Sequence, residues 1–481
     1  MIVGKCTLKK KKEKDENVST VKMALWYLIG DMLVKGLGVI TTPIFSRVLT
    51  KQQYGDFSNF TSWESILLIF VTLDLSASIS RAKYDYEKKI DEYISSIMAV
   101  STIATIFLYG IIEINSKFFT GCFSMDMFYI RLLFVYFLFE PAYEYIQEKH
   151  RMYMKYKFFL LFSLCSAFLR TFVSLVLVYS MEDKYLGRVL GYIIPAIILY
   201  MGIYIYVWKK GRKVKWEYCK YALLIGLPMI PHTLSVNLLS TSDRVMIQKF
   251  CGPEQTAIYA LSYMVAAMVT LVRQSLNKAW VPWFFDALAT ERYDEIKKKS
   301  KDYVNIFFLL MIGIVLIAPE VVWILGGEKY YEARFIIPPV IGGLLCQFLY
   351  TLYLNIEIFQ KKTFSISMGT MLATVINIVL NLIFIPKYGY IAAAYTTLIG
   401  YLALLLFHYL MVKYRIKQAN LFHNAYYFLQ VAVFFVIQCV CLLLYKENIV
   451  RYIILSIYII LGMILMWKKK DYIKQILNIK R

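Results

Sequence analysis

The sequence predicts an all-α polytopic membrane protein of about fourteen transmembrane helices. They form two six-helix lobes related as parallel repeats, plus two C-terminal helices. Composition is the first observation behind this prediction: 59% of the 481 residues are hydrophobic, only 18% are charged, and the mean hydropathy is +0.56. A soluble domain lies nearer 45–50% apolar and about 25% charged. An ordinary water-soluble enzyme is excluded, and so is a disordered chain, which needs low hydrophobicity. The second observation is a series of apolar stretches of spanning length, and the third is the alternation of basic residues between them.

A bilayer core of about 30 Å takes roughly 20 apolar residues in a helix. The first seven such stretches fall at 21–46, 57–80, 93–114, 128–147, 157–179, 185–208 and 217–242. The second seven fall at 255–277, 302–325, 335–357, 364–385, 389–412, 423–445 and 449–467. Residues 1–20, with the run Lys9–Asn17, read as a polar cytoplasmic tail, not as the short apolar core of a secretory signal. The lobes are then 21–208 and 209–415, and 416–481 carries helices 13 and 14 with a basic cytoplasmic tail. The longest connection, 278–301, is too short for a soluble domain.

Lys and Arg total 54 against 32 Asp and Glu, a net charge of +22. Thirty-eight of these basic residues lie on the side of the N-terminus and 12 on the other. By the positive-inside rule both termini are cytoplasmic, in a multi-pass protein of the cell (cytoplasmic) membrane. The excess is a topology signal, so nucleic acid is not expected as a partner. The remaining four are counted with the spans, Lys35, Arg131, Arg170 and Arg273, while other cations at span edges are counted with the loops.

An internal repeat supports the two lobes. Ser46–Phe57 and Gln248–Tyr259 align at a constant offset of 202 residues. Arg47 matches Lys249, and Arg47, Arg244 and Lys249 are expected at the outer side. Six helices separate the copies, and an even number keeps their orientation the same.

An ionisable group at the bilayer centre costs from roughly 3 to more than 10 kcal/mol, so such groups face a bundle interior or a wet cavity. Lys35, Arg170 and Arg273 sit on helices of both lobes. Sharing one cavity, they would attract a phosphate or pyrophosphate, which several donors can grip. The competing reading gives each a local carboxylate. Asp31 and Lys35, at i,i+4, can pair with each other. Glu64 and Asp74 are further acidic groups within spans, as are Glu140 and Glu144. Pro43, Pro228 and Pro231 lie in the first helix of each lobe, where a bend would suit a rocking motion; static packing is the alternative. The eight cysteines are scattered and the histidines lack ligand spacing, so no metal and no cofactor is expected. No P-loop pattern appears, so ATP is not expected as the direct energy source.

Several segments together resemble the polysaccharide (O-antigen type) flippase family of the multidrug/oligosaccharidyl-lipid/polysaccharide exporter superfamily. They are Leu227–Leu234, Ser242-Asp243-Arg244, Gly252–Tyr259, Asn277–Phe285, Lys361-Lys362-Thr363, and Asn377–Asn381 leading into Ile385–Ala394. The resemblance implies a flippase that carries an oligosaccharide linked to undecaprenyl pyrophosphate or a similar polyprenyl carrier from the inner to the outer leaflet. It implies membrane lipids, a polysaccharide polymerase and glycosyltransferases as partners, and no catalysis. It also implies proton or sodium coupling, for which Asp31, Glu64 or Asp74 would serve. Two other readings stay open: a cation-coupled drug or metabolite antiporter of the same superfamily, and a membrane polysaccharide polymerase.

Overall fold

The computed structural model describes residues 30, 32–153 and 155–468; the expectations for the tail 1–20, for Asp31 and for the end of the C-terminal tail lie outside them. The described residues are helical throughout, with no strand. Among the described residues ten helices are long and apolar enough to cross a membrane, or up to twelve if each of two bent pairs is one span. The chain is therefore an all-α polytopic membrane protein.

Two compact units divide it. The first holds residues up to Ala260 together with Asn381–Tyr390, and the second holds Leu261–Leu380 and Ile391 onward. In the first unit, α1 (residues 32–48) leads to α2 (Lys51–Thr72). Thr50 starts α2 with a capping box: its Oγ1 accepts from the Gln53 amide at 3.1 Å, and Gln53 Oε1 accepts from the Thr50 amide at 3.0 Å. That reciprocal pair satisfies two of the orphan donors at a helix start. After α2 come α3 (Ser76–Asp85), α4 (Ile90–Ile114), α5 (Ser116–Phe123), α6 (Met127–Phe137) and α7 (Glu140–Met152). Asp126 caps α6 by accepting from Phe128 N at 2.8 Å, and the chain turns by 91° between α5 and the α6–α7 run.

Next are α8 (Tyr156–Ser180), α9 (Lys184–Gly211) and α10 (Trp216–Cys251). α8 and α9 touch backbone to backbone. A Cβ on Gly191 would lie 2.3 Å from Ser174 Cα, and one on Gly187 would lie 2.8 Å from the Leu177 carbonyl oxygen. Only glycine permits this approach. The segments aligned by the 202-residue offset also meet: a Cβ on Gly55 would fall 1.8 Å from the Pro253 carbonyl oxygen, and Gln248 Nε2 donates to Asp56 at 2.8 Å. The apolar core of this unit gathers side chains of α2, α4, α6, α7 and α9, among them Phe60, Tyr93, Ile130, Phe137, Tyr145 and Ile193.

Helix α11 (Pro253–Ala289) begins in the first unit and runs on into the second. The second unit continues with α12 (Tyr293–Leu316), α13 (Ala318–Gly326), α14 (Ile337–Phe359), α15 (Thr363–Tyr388), α16 (Tyr390–Leu410), α17 (Asn424–Leu444) and α18 (Asn448–Lys468). The α12–α13 pair bends by 61° beside Pro319. Arg451, fully buried, ties α18 to α13 through Glu320, its two guanidinium nitrogens donating to the two carboxylate oxygens at 2.6 Å each.

Candidate functional site

In the first unit Arg170 projects from α8. Its Nη2 lies 3.5 Å from Glu64 Oε1 of α2, its Nε donates to the Tyr192 carbonyl at 2.9 Å, and its guanidinium stacks 3.5 Å from the centre of the Tyr192 ring. Tyr192 Oη in turn donates to both Glu64 oxygens, at 2.9 and 3.2 Å. Arg170 thus has a local carboxylate, and the two charges offset each other. Two of the expected site residues, Arg170 and Glu64, are brought together.

Arg188, one turn before Tyr192 on α9, is arranged differently. Its guanidinium lies 3.6 Å from the centre of the Phe45 ring and 4.3 Å from that of Phe57. Its Nε is buried and has no acceptor. Among the described residues no carboxylate pairs with it. Arg188 falls at the start of the 185–208 stretch, where a basic residue carries no mark of a binding role. The usable signal is its i,i+4 spacing from Tyr192, alongside Gly187 and Gly191.

Asp74 occupies a break between α2 and α3. Leu73 and Asp74 both have left-handed backbones, with φ of +50° and +52°. That conformation costs a non-glycine residue roughly 1–2 kcal/mol. The break aims the Asp74 carboxylate at α10, where Thr233 Oγ1 donates to it at 2.6 Å. Asp243 of α10 is fully buried; Tyr259 Oη donates to it at 2.5 Å and Asn381 Nδ2 at 2.6 Å. The sequence marked Asp243 only as part of a family motif. Lys35 is exposed on α1. At the end of α1, Arg47 is exposed and Nη1 donates to the Pro43 carbonyl at 2.9 Å. Near the end of α10, Arg244 is half-buried and Lys249 exposed. Helix α1 runs unbroken through Pro43, and α10 through Pro228 and Pro231.

In the second unit Arg273 lies on α11. Its Nε is buried without an acceptor, and no carboxylate pairs with it among the described residues. One turn on, Asn277 accepts from Asn355 Nδ2 of α14 at 3.1 Å. Beyond it, Trp280 stacks on Tyr303 with ring centres 4.6 Å apart. Arg273, Asn277 and Trp280 share one face of α11. Arg188 in the first unit and Arg273 in the second are thus sheltered guanidiniums with no carboxylate partner among the described residues, as is Arg334, which stacks on Tyr331 just before α14, and a guanidinium in that condition offers planar paired donors to a phosphate. No cluster of three metal-ligating side chains occurs among the described residues.

The sequence profile described as "Polysaccharide biosynthesis protein" matches residues 20–288, more than half of the chain. The chain belongs to the polysaccharide biosynthesis protein family. Among its relatives, the Haemophilus influenzae "Lsg locus putative protein 1" is 27% identical over 375 residues, covering 74% of this chain and 89% of that protein. The Bacillus subtilis "Teichuronic acid biosynthesis protein TuaB" is 21% identical over 329 residues, covering 64% of this chain and 65% of the relative. The fold is that of solved superfamily transporters. A structure of the lipid II flippase MurJ in an inward closed conformation superposes with a TM-score of 0.66 at 13% identity, covering 94% of this chain and all of the other. An inward-facing multidrug resistance MATE family transporter of the MOP superfamily superposes with a TM-score of 0.53 at 13% identity, covering 82% of this chain and 95% of that one. The chain is thus a multi-pass membrane protein of a polysaccharide biosynthesis family, with the fold of these solved transporters.

Proposed function

We propose that this family member moves an oligosaccharide linked to a polyprenyl pyrophosphate from the inner to the outer leaflet of the cytoplasmic membrane, by alternating access, for surface polysaccharide synthesis. It makes and breaks no glycosidic bond. The observation that carries this reading is that Arg188 and Arg273, one on a helix of each unit, are sheltered guanidiniums with no carboxylate partner among the described residues. A sugar diphosphate cannot cross hydrocarbon unaided, because its polar groups would lose their hydrogen bonds. Uncompensated arginines supply the donors that replace water around the diphosphate. The family and the fold support the same substrate class.

In this reading both termini are cytoplasmic, the lobes are 21–208 and 209–415, and 416–481 adds the last two helices. Lys35 adds positive potential to the passage, and Arg170, balanced by Glu64, offers its hydrogen-bond donors without net charge. Arg47, Arg244 and Lys249 line its outer side. Pro43, Pro228 and Pro231 are the flexing points. Asp31, Glu64 and Asp74 are the candidate ion-coupling groups of the first unit. A polymerase and glycosyltransferases act before and after it.

The test uses purified protein in vesicles containing a fluorescent short-chain polyprenyl-pyrophosphate oligosaccharide, with flipping read as protection from an external quencher. Wild-type vesicles should flip the lipid. Arg188→Ala and Arg273→Ala should each slow flipping at least tenfold, and Lys35→Ala and Arg170→Ala less, with insertion intact. Full flipping by the Arg188→Ala/Arg273→Ala double variant would overturn the reading.

A further inference from the structure

One group of titratable side chains plays no part in the site above. Within the second unit, Glu357 of α14 and His408 of α16 are fully buried, with relative exposures of 0% each. His408 Nδ1 lies 2.6 Å from Glu357 Oε1. Ser365 at the start of α15 hydrogen-bonds Glu357 Oε2, so three helices converge on one carboxylate. The other imidazole nitrogen, Nε2, is buried and has no hydrogen-bond partner. It faces Gly369 of α15, where a Cβ would lie 3.2 Å from it. Tyr350 stacks on the imidazole with ring centres 5.4 Å apart.

A purely structural tie is poorly served by this choice, because apolar side chains join helices without the desolvation cost of ionisable groups. A native buried group left unpaired asks for an explanation. Proton counting provides one. With one proton shared between them, carboxyl and imidazole are neutral as a pair. With none the pair is anionic, and with two it is cationic. Other charged groups on the surrounding elements are Arg273 on α11, Lys361 and Lys362 in the turn after α14, and Lys413 and Arg415 after α16; none pairs with Glu357 or His408. The charge of the pocket is thus set by its own proton count.

We propose that Glu357 and His408 form a proton-binding site inside the second unit, and that the proton it takes up and releases is the coupling ion of transport. Proton binding stands on the geometry alone; coupling rests on the flippase reading. The step is a proton transfer only: one O–H or N–H bond forms as water or hydronium gives up a proton, and the reverse on release.

The site is tested by infrared difference spectra of the reconstituted protein, recorded from about pH 5 to about pH 8, the range in which an imidazole ordinarily changes charge. Expected is a protonated-carboxyl C=O band that titrates, vanishes in Glu357→Gln, and shifts its midpoint in His408→Gln. Ser365→Ala removes one donor only and should also move the midpoint, so the proposal stays testable if Glu357→Gln folds poorly. A band absent throughout, or one unmoved by all three changes, overturns the site. In the vesicle assay an imposed pH gradient should speed wild-type flipping, and that acceleration should be lost in Glu357→Gln and His408→Gln. Acceleration retained in both overturns the coupling. A titrating band in a protein that flips no lipid-linked sugar would instead refute the flippase reading and leave the proton site standing.

Discussion

Removing Arg170 while keeping Glu64 is the sharpest test of the first unit. The side chains are 15% and 10% exposed and their closest charged atoms are 3.5 Å apart. At an effective dielectric near 20 that separation corresponds to about 5 kcal/mol of attraction. Losing one partner of such a pair costs about 3–5 kcal/mol, since the other stays buried and uncompensated. Arg170→Met should therefore destabilise the protein by about 3–5 kcal/mol. Glu64→Gln should do the same from the other side, although the amide oxygen that replaces the carboxylate still accepts from Tyr192 Oη. The double variant Glu64→Gln/Arg170→Met should recover to within about 1.5 kcal/mol of wild type, because no lone charge remains. Reversible unfolding in mixed detergent, analysed as a double-mutant cycle, reads the coupling directly. Simple additivity, with the double variant as weak as the two losses summed, would refute the pairing.

Four further outcomes follow from the geometry. Gly55→Ala must displace the Pro253 backbone and should cost about 1–3 kcal/mol, seen as a lower thermal midpoint. Arg451→Met strips the buried donors from Glu320 and from the Leu316 carbonyl, which Arg451 Nη1 reaches at 3.0 Å. Its cost should be about 1–3 kcal/mol, and protease should cut first near α18. His423, in the connection before α17, has its pKa held below the ordinary 6.5 by burial and by Lys297 and Lys301. Its contribution to stability is present above about pH 6.5 and is lost as pH falls, because the unfolded chain protonates first. The thermal midpoint of His423→Gln should therefore fall less between about pH 7 and pH 5. Thr233→Val leaves Asp74 without its 2.6 Å donor and should lower stability by about 1–3 kcal/mol; an unchanged midpoint would show that the contact contributes nothing.

The fold class was legible because spanning length and hydropathy act locally, residue by residue. The family segments, such as Leu227–Leu234 and Ser242-Asp243-Arg244, were legible for the same reason. What neither could disclose is partnership across helices. Glu64 and Arg170 are more than a hundred positions apart, and hydropathy weighs each alone. Arg188 was hidden for a subtler reason. At a span edge a basic residue looks like a topology signal, and only the packing of Phe45 and Phe57 shows it turned inward. The Glu357–His408 pair was not legible because Glu357 sits near a helix end, where a carboxylate commonly reaches water. The helical start at Ser365 closes that route. The helix break at Asp74 left no mark at all, since neither Leu73 nor Asp74 is a glycine or proline.

The Glu64–Arg170 pair also bears on how the chain is made. Glu64 leaves the ribosome 106 residues before Arg170 does. At about 5–20 residues per second, α2 waits roughly 5–20 s for its counter-charge. A lone carboxylate inside the bilayer costs about 3 kcal/mol or more. The helix therefore either enters lipid with that carboxyl protonated or lingers beside the insertion machinery until α8 arrives, which makes early biogenesis of this protein sensitive to any change that delays its fifth span.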